Sequence, residues 1–502
     1  MPTLKPKPFA AALCAALLLC ACRNIDIAAD SGIRLPEHFS QNQAAHGSAD
    51  IAVWWRQWRD PVLDSLIERA LAQNFDIRIA QSRLNEARAV AQLARADLGP
   101  TAGAAALAAL GRGGSANPLD ENLRQNLSHL PQAGALAEDG FSARGKMAGA
   151  GFAASWEPDI FGQKRSDADA ARYAALGRQE AVYGARLLAA ADTADHYFQA
   201  RAAQGRLKTA ADSVAVLEKM LRYLQGRFKA GHVTDAEVAQ ARSALASAQA
   251  KQSTIAAEYA AQVRAIAVLT GQVPQDFVLP DSSTDALAKQ PDAPSGQTPQ
   301  GLLERRPDLR AAAAEVRAYA AKLASTKADL LPRFSIRFLG QSGRIDLDSS
   351  DLKGWNSLVS VGIQLPLFTN GRISANIQAA DARLQTALLR YDQTLLTALG
   401  EVDTAYQGQS ALTRQNALLA DAARQSAQQA ADSGKLFRHG SVTLDSALKA
   451  ELAAQEAREN LIRSQLARAQ AALGLYKALG GGWSEWGSRT PIRNGSAFFA
   501  TV

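Results

Sequence analysis

Apolar residues recur in seven-residue or alternating three- and four-residue steps at Leu207, Val214, Leu217, Leu221, Leu224 and Phe228, the spacing of a coiled-coil seam. Gly231 breaks the run. Beyond it Val238, Ala241, Leu245, Ala248, Ile255 and Tyr259 mostly keep the same spacing, with Gln252 as a polar interruption. The pattern predicts two antiparallel, close-packed helices joined at a tip, where glycine supplies the positive φ that ends the first helix. The tip sequence Phe228-Lys229-Ala230-Gly231-His232-Val233-Thr234 has an echo, Phe437-Arg438-His439-Gly440-Ser441-Val442-Thr443, 209 residues later.

A second pair of landmarks extends the duplication. Pro307-Asp308-Leu309-Arg310 and Ala328-Asp329-Leu330-Leu331-Pro332 repeat Phe75-Asp76-Ile77-Arg78 and Ala96-Asp97-Leu98-Gly99-Pro100 at an offset of 232. The chain is therefore two tandem halves. The fall in offset places about 23 extra residues in the first half, most simply in one long loop within the Gly-, Asn-, Ser- and Pro-rich stretch Gly111 to Lys146.

After Pro100 and Pro332 the period changes to two. Phe334, Ile336 and Phe338 alternate with Ser335 and Arg337, and Val359, Val361, Ile363 and Leu365 alternate with Ser360, Gly362 and Gln364, as strands with one apolar face do. Gly354 and the neighbouring Asp and Ser residues read as the turn. Thr101 to Leu110 and Met147 to Trp156 are the matching first-half strands, mostly Ala and Gly, with Phe152 and Trp156 on one face. Each strand is near the roughly 9–11 residues of a tilted membrane strand. Four strands per chain fall short of the eight or so that the smallest membrane barrels use, and open edges in lipid leave backbone groups unsatisfied. Membrane strands would have to be pooled among chains; the alternative is a small soluble hairpin domain packed on the helices.

Asp60-Pro61 reads as an N-cap with proline at the first helical position, opening a helix to Leu98 with a stripe of Leu63, Leu66, Ile67, Leu71, Ile77, Ile79 and Leu84. Trp54, Trp55 and Trp58 precede it as packing anchors. No proline occurs from Asp159 to Val273 or from Leu367 to Thr490, so very long helices are possible there. Ser166 to Lys229 alone would reach about 96 Å at about 1.5 Å per residue. Gly177, Gly184 and Gly205 are candidate bends.

Composition adds a compartment. Lys5 and Lys7 precede an apolar core from Phe9 to Leu19, too short for the roughly 20 residues of a spanning helix, and Leu19-Cys20-Ala21-Cys22 resembles a bacterial lipobox with Cys22 as the lipidated first residue; an ordinary cleaved leader with incidental cysteines is the alternative. All three cysteines lie at or before Cys22, so the mature domain carries no disulfide. Arg23 follows, and lipoproteins without aspartate there are sorted to the outer membrane. Removing the leader takes the net charge from +7 to about +5, nearly neutral for this length, with no basic, aromatic-interleaved patch for nucleic acid. Six histidines stand singly, without metal-ligand spacing. No nucleophile elbow or phosphate loop appears. The chain reads as no enzyme, with no cofactor. Asp235 and Glu237 after the first tip and Asp445 after the second are aperture candidates if hairpins assemble in a ring; ordinary first-turn helix acids are the alternative.

Trp54-Trp55 through Asp60-Pro61, Leu269-Thr270-Gly271 with Pro274, Arg305-Arg306-Pro307-Asp308-Leu309-Arg310 and Gly480-Gly481-Gly482-Trp483 together resemble the TolC/OprM outer-membrane efflux proteins, and most of all the NodT-type lipoproteins. The resemblance implies a mostly α fold with a membrane β-barrel part: two tandem repeats, each a long coiled-coil helical hairpin plus two β-strands. It further implies a homotrimer whose twelve strands form one barrel, with helices continuing as a periplasmic tunnel. The tips Gly231, His232, Val233, Gly440, Ser441 and Val442 would then meet a periplasmic adaptor and an inner-membrane pump. Many relatives carry an aspartate nine residues after the second tip glycine where this chain has Lys449, so the aperture set becomes Asp235, Glu237, Asp445 and Lys449. The expected organisation is a signal peptide (1–21), a lipid-anchored tether (22–60), repeat 1 (61–274), a linker (275–300), repeat 2 (301–483) and a tail (484–502). The expected function is the outer-membrane exit duct of a tripartite system exporting small toxic compounds. The duct of a protein-secretion system, or a structural coiled-coil lipoprotein without a pore, are the alternatives.

Overall fold

The computed structural model describes residues 27, 30–41, 45–114, 142–347 and 350–482. Cys22, Trp483 and the tail lie outside the described residues. Among the described residues twelve longer elements follow a 3-10 turn at Trp54–Trp58. They are α1 (Pro61–Gln73), α2 (Phe75–Ala96), β1 (Thr101–Gly114), β2 (Ser142–Trp156), α3 (Gln163–Lys229), α4 (Asp235–Leu269), α5 (Pro299–Arg305), α6 (Pro307–Ala328), β3 (Arg333–Leu347), β4 (Ser350–Gln364), α7 (Arg372–Arg438) and α8 (Leu444–Ala478).

The duplication is visible in element lengths. Helices α3 and α7 each hold 67 residues, α4 and α8 each hold 35, and α2 and α6 each hold 22. At about 1.5 Å per residue α3 and α7 are each about 100 Å long. Gly177, Gly184 and Gly205 do not interrupt α3. Gly205 instead permits close packing, since a Cβ there would stand 3.3 Å from Ile462 Cδ1 of α8.

The single helix expected from Pro61 to Leu98 is two helices. Asn74 ends α1 and caps α2, its side-chain oxygen accepting from the Asp76 and Ile77 N–H groups at 2.8 and 3.2 Å, while its amide donates to the Leu269 carbonyl at the end of α4 (3.1 Å). The second repeat has the same joint, with Arg306 at the position of Asn74 and donating to the Ala478 carbonyl at the end of α8 (3.0 Å). Of the expected stripe, Leu63, Leu66, Ile67, Ile77 and Leu84 are buried, whereas Ile79 is 48% exposed. Two residues beyond Ile77 on α2, Ile79 falls on the opposite side of the helix and faces outward.

Two compact units result. One is built on Val90–Ala171 and Ala320–Ala382 and contains an antiparallel sheet of order β1-β2-β3-β4. The other is built on Ala29–Ala89, Arg172–Tyr319 and the chain from Arg383. In that unit Trp54, Trp55 and Trp58 are buried with Tyr197, Phe198 and Tyr476. Trp54 stacks on Tyr476 at a centroid distance of 5.3 Å, and Trp58 meets Phe198 at 5.3 Å. Asp60 caps α1 beneath them. The segment before the tryptophans is docked: Phe39 is buried beside Tyr406, and the Gly47 N–H donates to Ala293 O at 2.7 Å.

Strands of 14 and 15 residues exceed the expected lengths. Gly111–Gly114 and Ser142–Lys146 belong to β1 and β2 and not to the loop, and residues 115–141 between them lie outside the described residues. Gly354 is not in the turn but in β4, opposite Gly343, because the pairing continues past the apolar stretch into charged residues.

Candidate functional site

The sheet is sorted by face. Register places Phe338 opposite Val359, Ile336 opposite Val361 and Phe334 opposite Ile363, and Ala154 and Trp156 beside Phe338 and Ile336. Residues paired directly across share a face, so these form one apolar surface. It is open to solvent: Val359 is 65% exposed, Val361 71% and Ile363 68%. Lys146, Arg344, Asp346 and Lys353 continue the same face past Trp355. The other face carries Ser335, Arg337, Gln341, Asn356, Ser360 and Gln364, with Leu107, Met147, Leu339, Ile345 and Leu358 as apolar exceptions. Such an apolar band ending in an aromatic and then charge is how a membrane strand meets the interface. Among the described residues the outer strands β1 and β4 each leave one edge unpaired.

Both tips end in the same way. His232 N–H donates to Arg227 O and Gly231 N–H to Phe228 O, both at 2.9 Å; Ser441 to Leu436 and Gly440 to Phe437 repeat this, also at 2.9 Å. This is the Schellman arrangement, and it requires the left-handed glycines Gly231 and Gly440, each at φ 74°. Thr234 then caps α4 and Thr443 caps α8. Gly231, His232, Gly440 and Ser441 are exposed and Val442 is half-buried. Val233 turns inward onto a cluster of Val216, Leu217, Met220, Leu224, Val238, Ala241 and Leu448. Phe228, expected in that seam, is 46% exposed; Val216 and Met220 take the inward positions.

The acids differ in availability. Glu237 closes a capping box, accepting from the Thr234 N–H at 2.8 Å and hydroxyl at 2.9 Å, and those bonds hold its carboxyl below the usual range. Asp445 pairs with Lys449 one turn along its own helix at 2.9 Å. Asp235 is exposed.

Above the tips, Glu459 of α8 gathers both hairpins. It is 9% exposed and accepts from Lys251 of α4 and from Arg463 (2.7 Å), with Arg206 of α3 at 3.7 Å also bonded to Glu258 at 2.7 Å. Burial pushes this carboxyl up, but the Lys251 and Arg463 hydrogen bonds outweigh it and hold it below the ordinary glutamate value. A lowered folded pKa stabilises above the unfolded value, near about 4.3, and the contribution is lost as pH falls through the folded value. Glu459→Gln should therefore cost about 1–3 kcal/mol at neutral pH and flatten the acid limb of the stability curve. Thermal melts from pH 3 to 7 check both.

Sequence reading missed Glu459, Asn74 and Arg306. Asn74 two residues before Asp76 has the form of an N-cap, and the glycine pair Gly271 and Gly480 marks the helix ends that it and Arg306 meet: a Cβ on either glycine would lie about 3 Å from Gln73 O or Arg305 O. Glu459 has no such local signal, because its partners come from three helices.

A family model described as outer membrane efflux protein matches residues 66–272 and 298–481. The chain is 30% identical over 474 residues to the pyoverdine export outer membrane protein OpmQ of Pseudomonas aeruginosa, covering 93% of this chain and 96% of that one. It is 27% identical over 431 residues to the toluene efflux pump outer membrane protein TtgI of Pseudomonas putida, covering 85% and 87%. Among solved structures it is similar to the open state of the outer membrane channel MtrE of Neisseria gonorrhoeae, with a TM-score of 0.73 and 26% identity over 92% of this chain and 98% of that one. Both repeats, the one-faced sheet and the twin hairpins lie within these matches, and the chain belongs to the outer membrane efflux protein family, as an outer-membrane efflux channel.

Proposed function

We propose that three copies pool their strands into one twelve-stranded barrel and that the helices extend it as a passive exit duct. The observation that carries this reading is a four-stranded sheet with one exposed apolar face and two unpaired edges of 14 and 15 residues. In lipid such edges demand partners, and a ring of copies supplies them. Cys22 anchors each copy to outer-membrane lipid. The tips dock on a periplasmic adaptor beneath which an inner-membrane pump supplies the energy; Gly231, His232, Gly440, Ser441 and Val442 form the contact, with Val233 supporting them from within. The protein performs no reaction.

The named cargoes of the relatives, pyoverdine and toluene, support small molecules and not secreted proteins. Asp235, Glu237, Asp445 and Lys449 form the aperture set, in which Asp235 is the acid most available to a neighbouring hairpin. Asp235→Asn is expected to raise single-channel conductance in planar bilayers; unchanged conductance removes Asp235 from the aperture. A strain lacking the chain should become sensitive to organic solvents and amphipathic drugs and recover on complementation. Normal tolerance with loss of a secreted protein would favour the secretion duct. Cys22→Ala should abolish labelling by radioactive palmitate, and retained label would remove the anchor.

A further inference from the structure

A cavity of about 810 Å³ lies in the helical unit where the end of α8 meets the start of α6. Its floor is that joint, from Gln470 to Ala478 on one side and from Arg306 to Asp308 on the other. Its walls are α3 from Gly184 to Asp195 and α7 from Glu401 to Ala405. The stretch of α3 gives it a length of about 17 Å at about 1.5 Å per residue. The middle is apolar, with Leu187, Ala191 and Leu473 buried and Leu188 48% exposed. Sites for small molecules have volumes of roughly 300–1,000 Å³ and this mixture of apolar lining and few polar groups.

The charge around the cavity is unbalanced. Asp192, Asp195, Asp308 and Glu401 line it against two cations, Arg306 and Lys477. Arg306 is buried and donates to Asp308 from Nε at 3.0 Å and Nη2 at 2.7 Å, and to Glu401 from Nη1 at 2.7 Å. One guanidinium thus fixes two carboxylates and neutralises one charge. Lys477 stands 3.7 Å from Asp192. Asp195 is held by neutral amides alone, accepting from Gln199 at 2.8 Å and Gln470 at 2.9 Å, and among the described residues no cation pairs with it. Amides orient a carboxylate without cancelling its charge. Fixed, uncompensated carboxylates at an apolar surface complement an apolar molecule that carries positive charge.

The cavity opens away from the tryptophans. Tyr197 of α3 faces Asp60, to which its hydroxyl donates, and at about 100° per residue Leu188, Asp192 and Asp195 stand about 140–180° around the helix from it. The linker lies on the Tyr197 side, since Ser282 also donates to Asp60 and Arg201 to the Pro280 carbonyl.

We propose that this cavity is a cargo site in the wall of the duct for amphipathic cations, molecules with an aromatic or aliphatic body and an ammonium or amidinium group. The inference rests on the exit-duct reading above and names a class of cargo for it. A bore lined by these helices has to be clear, so the linker and the tryptophan segment lie outside it and the cavity opens into it. The apolar body covers Leu188 and Leu473, and the charge meets Asp195. Asp308 and Glu401 offer a second anionic point to a dication. Both are 48% exposed, so water competes for them and cargo can leave, as conduction requires.

The test is equilibrium binding of ethidium, an aromatic cation, to the purified full chain in a neutral mild detergent, followed by fluorescence anisotropy. The expected result is saturable binding that weakens with salt. Its Kd should rise about tenfold or more in Asp195→Asn and in Leu188→Lys and stay unchanged in Asp281→Asn, an exposed acid of the linker. Absent binding, or equal binding by wild type and both cavity variants, overturns the site. In a strain lacking the chain, Asp195→Asn and Leu188→Lys should restore tolerance of toluene, a neutral compound, in full and tolerance of ethidium only in part. Full restoration of both tolerances overturns the cargo role and leaves the duct standing. A strain lacking the chain that tolerates both compounds as well as its parent overturns the duct and the cargo role together.

Discussion

Replacing Val359 and Val361 together by aspartate is expected to abolish outer-membrane assembly, whereas Ser360→Asp between them is expected to leave it near wild type. The two valines are 65% and 71% exposed on the apolar face, and Ser360 points to the other, opposite Arg337. A charged side chain on the lipid face of a barrel costs up to about 2–4 kcal/mol at the midplane, with carboxylates below lysine and arginine. Two of them remove a tenfold or larger share of assembled channel, since about 1.4 kcal/mol is tenfold. On the polar face a carboxylate meets water and a guanidinium. The readout is heat-labile oligomer in outer-membrane fractions. Equal assembly of both variants would mean that the exposed valines do not face lipid.

Asp60→Ala should lower the thermal stability of the helical unit by about 3 kcal/mol, more than any exposed charge change. The estimate combines about 1–2 kcal/mol for a lost N-cap with about 1–3 kcal/mol for a buried donor left unsatisfied. Asp60 is fully buried and accepts from the Val62 N–H at 3.0 Å, the Ser282 hydroxyl at 2.9 Å and the Tyr197 hydroxyl at 2.5 Å. Burial first, and then the bond to Asp60, pushes the Tyr197 phenol up to about 12. Tyr197→Phe in the Asp60→Ala background should recover part of the loss, because it removes the orphaned hydroxyl. Calorimetry of the purified protein checks both, and a loss under about 1 kcal/mol would confine Asp60 to an exposed-cap role.

The fold was legible where a period repeats over many residues. The heptad steps gave the first hairpin and the echo of its tip sequence gave the second, Gly231 and Gly440 gave the tips, and alternation from Phe334 and from Val359 gave β3 and β4. Long helices failed as a reading only at Asn74, where a side-chain cap competes with continued helix over two residues and no glycine or proline announces it. The strands ran longer than expected because hydrogen-bond pairing follows the backbone and not the apolar stretch. Of the candidate site, tip geometry could be read from the glycines, while the commitment of Glu237 to its cap and of Asp445 to Lys449 was present in the Thr-x-x-Glu and i,i+4 spacings but was not drawn from them. The Asp60, Arg306 and Glu459 clusters draw residues separated by up to hundreds of positions, which no local pattern reports. The duplication is the exception among long-range signals: two offsets, 232 and 209, map α6 onto α2 and α3 onto α7.

The most direct test of the pooled barrel is the mass of the complex extracted from outer membranes in mild detergent, compared with the boiled chain of 53.2 kDa before processing. Three chains that separate only on heating are predicted. A single chain, released as a lipid-anchored monomer and stable in that state, would contradict the shared barrel.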